Sequence, residues 1–341
     1  MTSSVEAAVP GLAHPENPSE QPPGPPPEQA LVVFSSRESG ELLHANLMAL
    51  SEAVATSGAR TEVVVLVNGN AALVEDLRRR LSEAPPQYAV SLWRIPFGDK
   101  ANAWNQYVHA IWRGERLAFF IDGYVTLPRE AMPRLAAAVA AGGDHVLGGT
   151  GIPSVGREAR ALREQLLRDG GYHGNFCCLK GETIAEMRDR GLRLPVGLYR
   201  TDSLMGALLS FGLHPEQGRW DPSHIAVCAD ATWQLPPKQW WRWSDLKGQF
   251  KRLLRQGKGR VENAAVKFFL ATRQQRFESL PNTARALVAD WRAQAPIESE
   301  ALLRAGALNR RGFRELVAQA DPVAGDLLPR LIWRGEAATR A

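Results

Sequence analysis

Five short stretches hold residue types suited to polar chemistry: Ser35-Ser36-Arg37-Glu38, Asn68-Gly69-Asn70, Gly98-Asp99-Lys100 with Asn105, Asp122-Gly123-Tyr124, and Thr201-Asp202-Ser203. Small polar residues such as Ser35 and Ser36 let a base or ribose approach the backbone. Asn68 suits the edge of a nucleobase, and the Asn-Gly step there makes a sharp turn. Gly98 just ahead of a helix opening at Lys100 reads as an anion site, with Asn105 one turn on and facing the same edge. A carboxylate at Asp122 suits a divalent metal or a sugar hydroxyl. Asp202, at the start of an apolar helix, suits proton abstraction from a hydroxyl. Each stretch alone also reads as ordinary structure: Ser and Glu cap helices, Asp-Gly makes turns, Lys100 can be a solvated lysine, and Thr201 or Asp202 is a good N-cap.

These residues need strands to bring them together. Leu117–Ile121 is a short apolar run that ends in an acid, as a buried strand delivering Asp122 to a sheet edge would. Strands are expected at 30–35, 62–67, 90–95, 117–121 and 145–148. Helices are expected between them at 40–56, 71–82, 100–113 and 129–140. Such alternation predicts an α/β fold with a mostly parallel sheet and helices on both faces, and ligands bind such sheets outside the strands' carboxyl ends. Beyond residue 150 the pattern loosens into helices at 157–168, 182–190 and 202–211 and strands at 175–179 and near 225–229. Everything from about Lys247 reads as helix.

Four strand-end loops plus one downstream acid, in this order and spacing, resemble the family-2 glycosyltransferases with the GT-A fold, over about residues 30–260. Ser35, Ser36 and Glu38 match the loop after the first strand, and Asn68 stands where the family has an acid that contacts uracil. Gly98, Lys100, Ala103 and Asn105 look like its Gly-Lys-x-x-Ala-x-Asn segment. Asp122-Gly123-Tyr124 falls on the Asp-x-Asp motif, and Thr201-Asp202 on the Glu-Asp pair that supplies the base. Gln249-Phe250-Lys251-Arg252 is faintly similar to the late Gln-x-x-Arg-Trp motif, without its Trp. The resemblance implies a Rossmann-like GT-A domain over 30–245, with a nucleotide half at 30–150, an acceptor half at 151–245 and a basic helical extension at 246–341. It implies inverting transfer from a nucleotide-sugar, a UDP-sugar for preference, to a hydroxyl of a glycan, lipid-linked or small-molecule acceptor. Asp202 would be the base, with Ser35, Ser36, Glu38, Asn68, Lys100, Asn105, Asp122, Gly123 and Tyr124 around the donor. It also implies a divalent metal, Mg or Mn, on Asp122; Tyr124 in place of the second acid counts against that metal. The same departure leaves a second class open, a degenerate GT-A protein that binds nucleotide or sugar, or scaffolds a complex. A nucleotidyltransferase needs a glycine-rich basic loop after the first strand, and Ser35–Gly40 holds one Arg and one Gly.

Residues 238–260 are strongly basic, with Asp245 the one acid. Arg252 and Arg255 share a helix face, and Gln256–Arg260, with Lys258, reads as a flexible basic loop; these cations suit the charge of a departing diphosphate. A solvated basic helix is the plain alternative. Trp240, Trp241 and Trp243 fit a sugar-stacking wall, a patch for peripheral membrane contact, or core packing.

The 341 residues are 45% hydrophobic, enough for a sizeable core, and the net charge of +5 does not by itself imply nucleic acid. Cys177, Cys178 and Cys228 cannot form a disulfide framework and lack metal-site spacing, which suits a reducing cytoplasm. No run reaches roughly 18 apolar residues, and the acidic start with Glu6, Glu16 and Glu20 does not read as a signal peptide. Residues 1–29 are proline-rich with few large apolar groups and read as a disordered tail.

Overall fold

The computed structural model describes residues 25–154, 157–236 and 243–337, with side chains at all of these except 157–158 and 243–254. The expected tail at 1–29 lies outside the described residues up to position 24, as do Trp240 and Trp241; the side chains of Trp243, Gln249 and Arg252 lie outside them too.

Eight strands form one sheet: β1 Gln29–Ser35, β2 Thr61–Asn68, β3 Ala89–Ile95, β4 Leu117–Asp122, β5 Gly148–Pro153, β6 Phe176–Lys180, β7 Ile225–Trp233 and β8 Arg330–Gly335. The helices are α1 Gly40–Ala49, α2 Ser51–Thr56, α3 Ala71–Glu83, α4 Lys100–Gln106, α5 Ala131–Ala141, α6 Arg157–Asp169, α7 Gly181–Asp189, α8 Thr201–Ser210, α9 Trp243–Lys267, α10 Ala284–Gln294, α11 Pro296–Arg304, α12 Ala307–Val317 and α13 Ala324–Leu327. The strand order is β7-β5-β6-β4-β1-β2-β3-β8. Its centre, β3-β2-β1-β4, is parallel, and β6 and β8 run antiparallel to their neighbours.

Strand alternation divides the core between the two faces. Leu31 and Val33 of β1 pack with Leu43, Leu73, Leu77 and Leu135 of α1, α3 and α5. Ala30, Val32 and Phe34 pack on the other face with Trp104, Leu204, Val261, Leu287 and Trp291. The C-terminal helices therefore share a core with the sheet.

Three expectations about elements need correction. The strand placed at 145–148 begins at Gly148 and runs to Pro153. Its glycines admit neighbouring backbone: a Cβ at Gly148 would lie 2.4 Å from the Cys178 carbonyl oxygen, and one at Gly151 2.4 Å from that of Ala231. The run 256–260, read as a flexible loop, is inside α9. Gly257 and Gly312 let α9 and α12 touch at their backbones: a Cβ at Gly257 would meet the Leu308 oxygen at 2.0 Å, and one at Gly312 the Lys258 nitrogen at 2.3 Å. Finally, the chain past Lys247 is not all helix, because β8 pairs with β3 at the sheet edge. Glu62 of β2 anchors that strand, pairing with Arg113 and, at 3.1 Å, with Arg334.

Candidate functional site

The register of β1, β2 and β4 sets Phe34 opposite Asp122 and Ser35 opposite Val67, so Ser35, Asn68 and Asp122 all finish at one edge of the sheet. A cleft of about 2200 Å³ opens there. Of the residues expected from sequence, Ser35, Ser36, Glu38, Asn68, Lys100, Asp122, Tyr124, Asp202, Arg255 and Lys258 line it. Thus α9 brings its cations to the same cleft as the strand ends.

At the centre, Lys100 Nζ meets Asp122 Oδ1 at 2.5 Å, and the Tyr124 hydroxyl donates to Asp122 Oδ2 at 2.7 Å. Both carboxylate oxygens are engaged. Burial opposes the Lys100 charge, but the Asp122 and Asp202 carboxylates outweigh it and raise the ammonium above its usual range. Burial first, then the Asp122 charge, raises the Tyr124 phenol, so it stays protonated as a donor. Lys100 also sits 5.5 Å from the Phe34 ring centroid, and Phe34 packs against Trp104 and Phe120.

Asp202 lies in the first turn of α8. Burial raises its pKa, yet Lys100, His173 and the backbone N–H groups of Asp202 and Gly174 together bring it below the usual carboxylate range. A Cβ at Gly174 would stand 3.2 Å from the Asp202 carboxyl carbon, so glycine there gives Asp202 its room. His173, also in the cleft lining, stacks on Trp233 at 5.1 Å, and its Nδ1 accepts from the Asn175 N–H at 3.3 Å. The expected side-chain cap at Thr201 or Asp202 is not made: Arg200 is the N-cap, without a side-chain bond.

Several expected ligand contacts are spent inside the protein. Asn105 does not line the cleft; its amide donates to the Leu194 carbonyl at 2.8 Å and accepts the Leu194 N–H at 2.8 Å. It clamps the chain that leads to Asp202. Gly123 is buried, bonding Phe34 O and Asn46, with Ser35 so close that a Cβ would come within 3.1 Å of its Cβ. Glu38 Oε2 accepts from the Ser35 hydroxyl and the Ser36 and Arg37 N–H groups, at 2.6–3.0 Å, and so braces its own loop. Asn68 is buried and donates to Ser35 O at 3.1 Å. The anion site expected at the start of α4 is taken by Asp99, which accepts the Asn102 N–H at 2.7 Å and the Gly197 N–H at 3.1 Å. The cation Lys100 is what remains of that reading.

Sequence reasoning missed Glu262. This fully buried carboxylate accepts the Tyr199 N–H at 3.0 and 3.1 Å and the Arg200 N–H at 3.3 Å, with Lys258 at 3.7 Å. Burial pushes it up to about 7. Lys258 itself donates to Gly197 O at 2.9 Å. The i,i+4 spacing of Lys258 and Glu262 was the available signal. His173 carried none beyond its glycine-rich surroundings.

The donor set at Asp122 does not fit a divalent cation. Hard dications gather several anionic oxygens. Here one carboxylate is shared between an ammonium and a phenol, and the ammonium would repel the metal. Among the described residues no group of three or more His, Cys, Asp or Glu is placed to hold a metal ion. Nor, among them, is any helix long and apolar enough to cross a membrane.

No protein-family model and no curated protein matches the chain. Solved structures do resemble it. A mannosyltransferase from Pyrobaculum calidifontis, in complex with GDP-Man and Mn²⁺, is 18% identical over 87% of this chain and 88% of its own, with a TM-score of 0.52. S. aureus TarS 1-349 is 12% identical over 87% of this chain and 95% of its own, at 0.44. Glucosyl-3-phosphoglycerate synthase from Mycobacterium tuberculosis, with Mn²⁺ and UDP-glucose, is 12% identical over 71% of this chain and 79% of its own, at 0.45. The first of these likenesses shows the fold: an α/β domain of the GT-A type with C-terminal helices.

Proposed function

We propose that this GT-A protein is an inverting glycosyltransferase, moving a sugar from a nucleotide-sugar to an acceptor hydroxyl. The observation that carries the reading is Asp202. It is an ionised carboxylate, held below its usual range beside the Lys100 ammonium, in a cleft at the carboxyl ends of three parallel strands. A base that stays ionised at neutral pH can take the acceptor proton as the new bond forms, which contributes roughly 10²–10⁴-fold. Ser35, Ser36 and Asn68 line the β1–β2 side of the cleft, where the nucleoside would lie, and His173 and Trp233 stand beside the base, where the acceptor would enter. In this reading the GT-A unit is 30–245 and the segment 246–341 is an extension that contributes the α9 wall.

A UDP-sugar remains the preferred donor. The likeness to a mannosyltransferase bound to GDP-Man makes a GDP-sugar the second to try. The donor set at Asp122 suits an ammonium rather than a metal. Asp202→Asn keeps the shape and removes the base. It should retain nucleotide-sugar binding by calorimetry and lose turnover by roughly 10²–10⁴-fold; near-normal turnover rejects the assignment. Tyr124, in place of an acid, supports a second reading: a protein that binds the nucleotide-sugar, or scaffolds a complex, without transfer. Donor binding with no turnover against any acceptor would favour it.

A further inference from the structure

Asp122 is the acid on which a GT-A metal would depend, and both oxygens of its carboxylate are engaged in another way. Oδ1 holds an ammonium at 2.5 Å and Oδ2 a phenol at 2.7 Å. The geometry points to Lys100 as the site's resident cation: its ammonium stands in for a divalent metal and meets the donor's diphosphate directly, while Asp122 and Tyr124 hold that ammonium in place. This inference rests on the glycosyl-transfer reading above.

Three observations converge on it. First, an ammonium has three N–H donors, and among the described residues the contact with Asp122 uses one, which leaves two for phosphate oxygens. Second, the lysine is anchored on three sides: by its place as the first residue of α4, by the Asp122 carboxylate, and by the Phe34 ring. A long flexible side chain held this way has already given up much of the entropy that ligand binding would cost. Third, Asp122 and Asp202 both act on this one cation. Without it, a diphosphate placed at this point of the cleft would meet the Asp122 and Asp202 carboxylates unopposed by the cation they share. Arg37, Arg200, Arg255, Arg285 and Lys258 line the same cleft, Lys258 being tied to Gly197 and Glu262; among the described residues Lys100 is the one bonded to Asp122.

The acceptor oxygen forms a bond to the anomeric carbon as the bond from that carbon to the diphosphate oxygen breaks. The electron pair of the broken bond leaves on the diphosphate, to whose newly charged oxygen the Lys100 N–H groups donate. The acceptor proton passes to Asp202.

Calorimetry on the full chain tests this with UDP, GDP and MnCl₂ as probes. Nucleoside diphosphate should bind in EDTA, and Mn²⁺ should change its affinity by less than about twofold. Lys100→Met should weaken the diphosphate roughly tenfold or more, as expected for a lost hydrogen bond to a charged group, and leave the matching nucleoside unchanged. Lys100→Arg, which keeps the charge, should recover part of the loss. Affinity that appears only with Mn²⁺, or Mn²⁺ binding to the free wild-type protein, overturns the resident-cation role while leaving the transferase reading intact. A Lys100→Met protein that loses nucleoside and diphosphate alike is a folding defect, and Lys100→Arg failing in the same selective way as Lys100→Met overturns the inference. If no nucleoside diphosphate binds in either medium, the functional reading fails and this inference falls with it.

Discussion

Two lysine–carboxylate pairs bring their lysines to the same cleft and are built in opposite ways. In Lys100–Asp122 the ions touch at 2.5 Å, and the carboxylate's other oxygen takes a phenol. The cation keeps donors for a ligand. In Lys258–Glu262 the ions stand 3.7 Å apart, the carboxylate collects backbone N–H groups from Tyr199 and Arg200, and the lysine gives a hydrogen bond to Gly197. Here the carboxylate is spent on the chain at 199–200, the approach to Asp202, and the lysine is tied to the same segment. The lesson is that a charged pair beside a site serves ligand or scaffold according to what fills its remaining hydrogen bonds. An ion saturated by backbone groups is a brace.

If this division holds, Glu262→Ala should damage stability first. It strands two backbone N–H groups and Lys258, at a cost of about 3–5 kcal/mol in denaturant unfolding. The folded fraction should still bind nucleoside diphosphate; losing that binding as fully as Lys100→Met does would erase the distinction. The next effect is one of pH. Glu262 titrates near 7 in the fold and near its ordinary 4.5 when unfolded. Between those values the folded protein holds the extra proton, so unfolding free energy should fall as pH rises from about 4.5 to 7, by roughly 3 kcal/mol at most, and level off above. Glu262→Gln should flatten that slope in a pH series of unfolding curves. Gly257→Ala is expected to cost about 1–3 kcal/mol by forcing α9 from α12, seen as a lower melting temperature. Tyr124→Phe should be the mildest, about 1 kcal/mol, because Asp122 keeps its ammonium. A collapse of diphosphate affinity in that variant would move the role from the lysine to the phenol.

The sheet centre was legible in the chain because buried parallel strands are written as continuous apolar runs, and Leu31–Phe34, Val63–Val67 and Phe119–Ile121 are such runs. Asp122 was legible for the same reason, standing at the end of such a run, and Lys100 from Gly98 just ahead of the helix it opens. Gly148–Pro153 was misplaced because a strand of glycines has no side-chain pattern to read; its burial comes from neighbouring backbone. Gly257 misled in the same way, since glycine marks either a loop or a helix crossing and only the partner helix decides which. Asn105 and Glu38 had suitable chemistry, and their hydrogen bonds go to the protein itself.

The order of strands and helices, the edge where the polar loops meet, and the types of the groups found there follow from local patterns of apolarity and turn residues. Those patterns act over a few residues, so they can be read along the chain. The pairing of Lys100 with Asp122, the closeness of His173 and Lys100 to Asp202, and the division of labour between two lysines depend on contacts across 22 to more than 100 positions. No local pattern encodes such distances. They exist only once the sheet has set its register and the helices have packed on it, and the seat of α4 beside β4 is what gives Asp122 an ammonium.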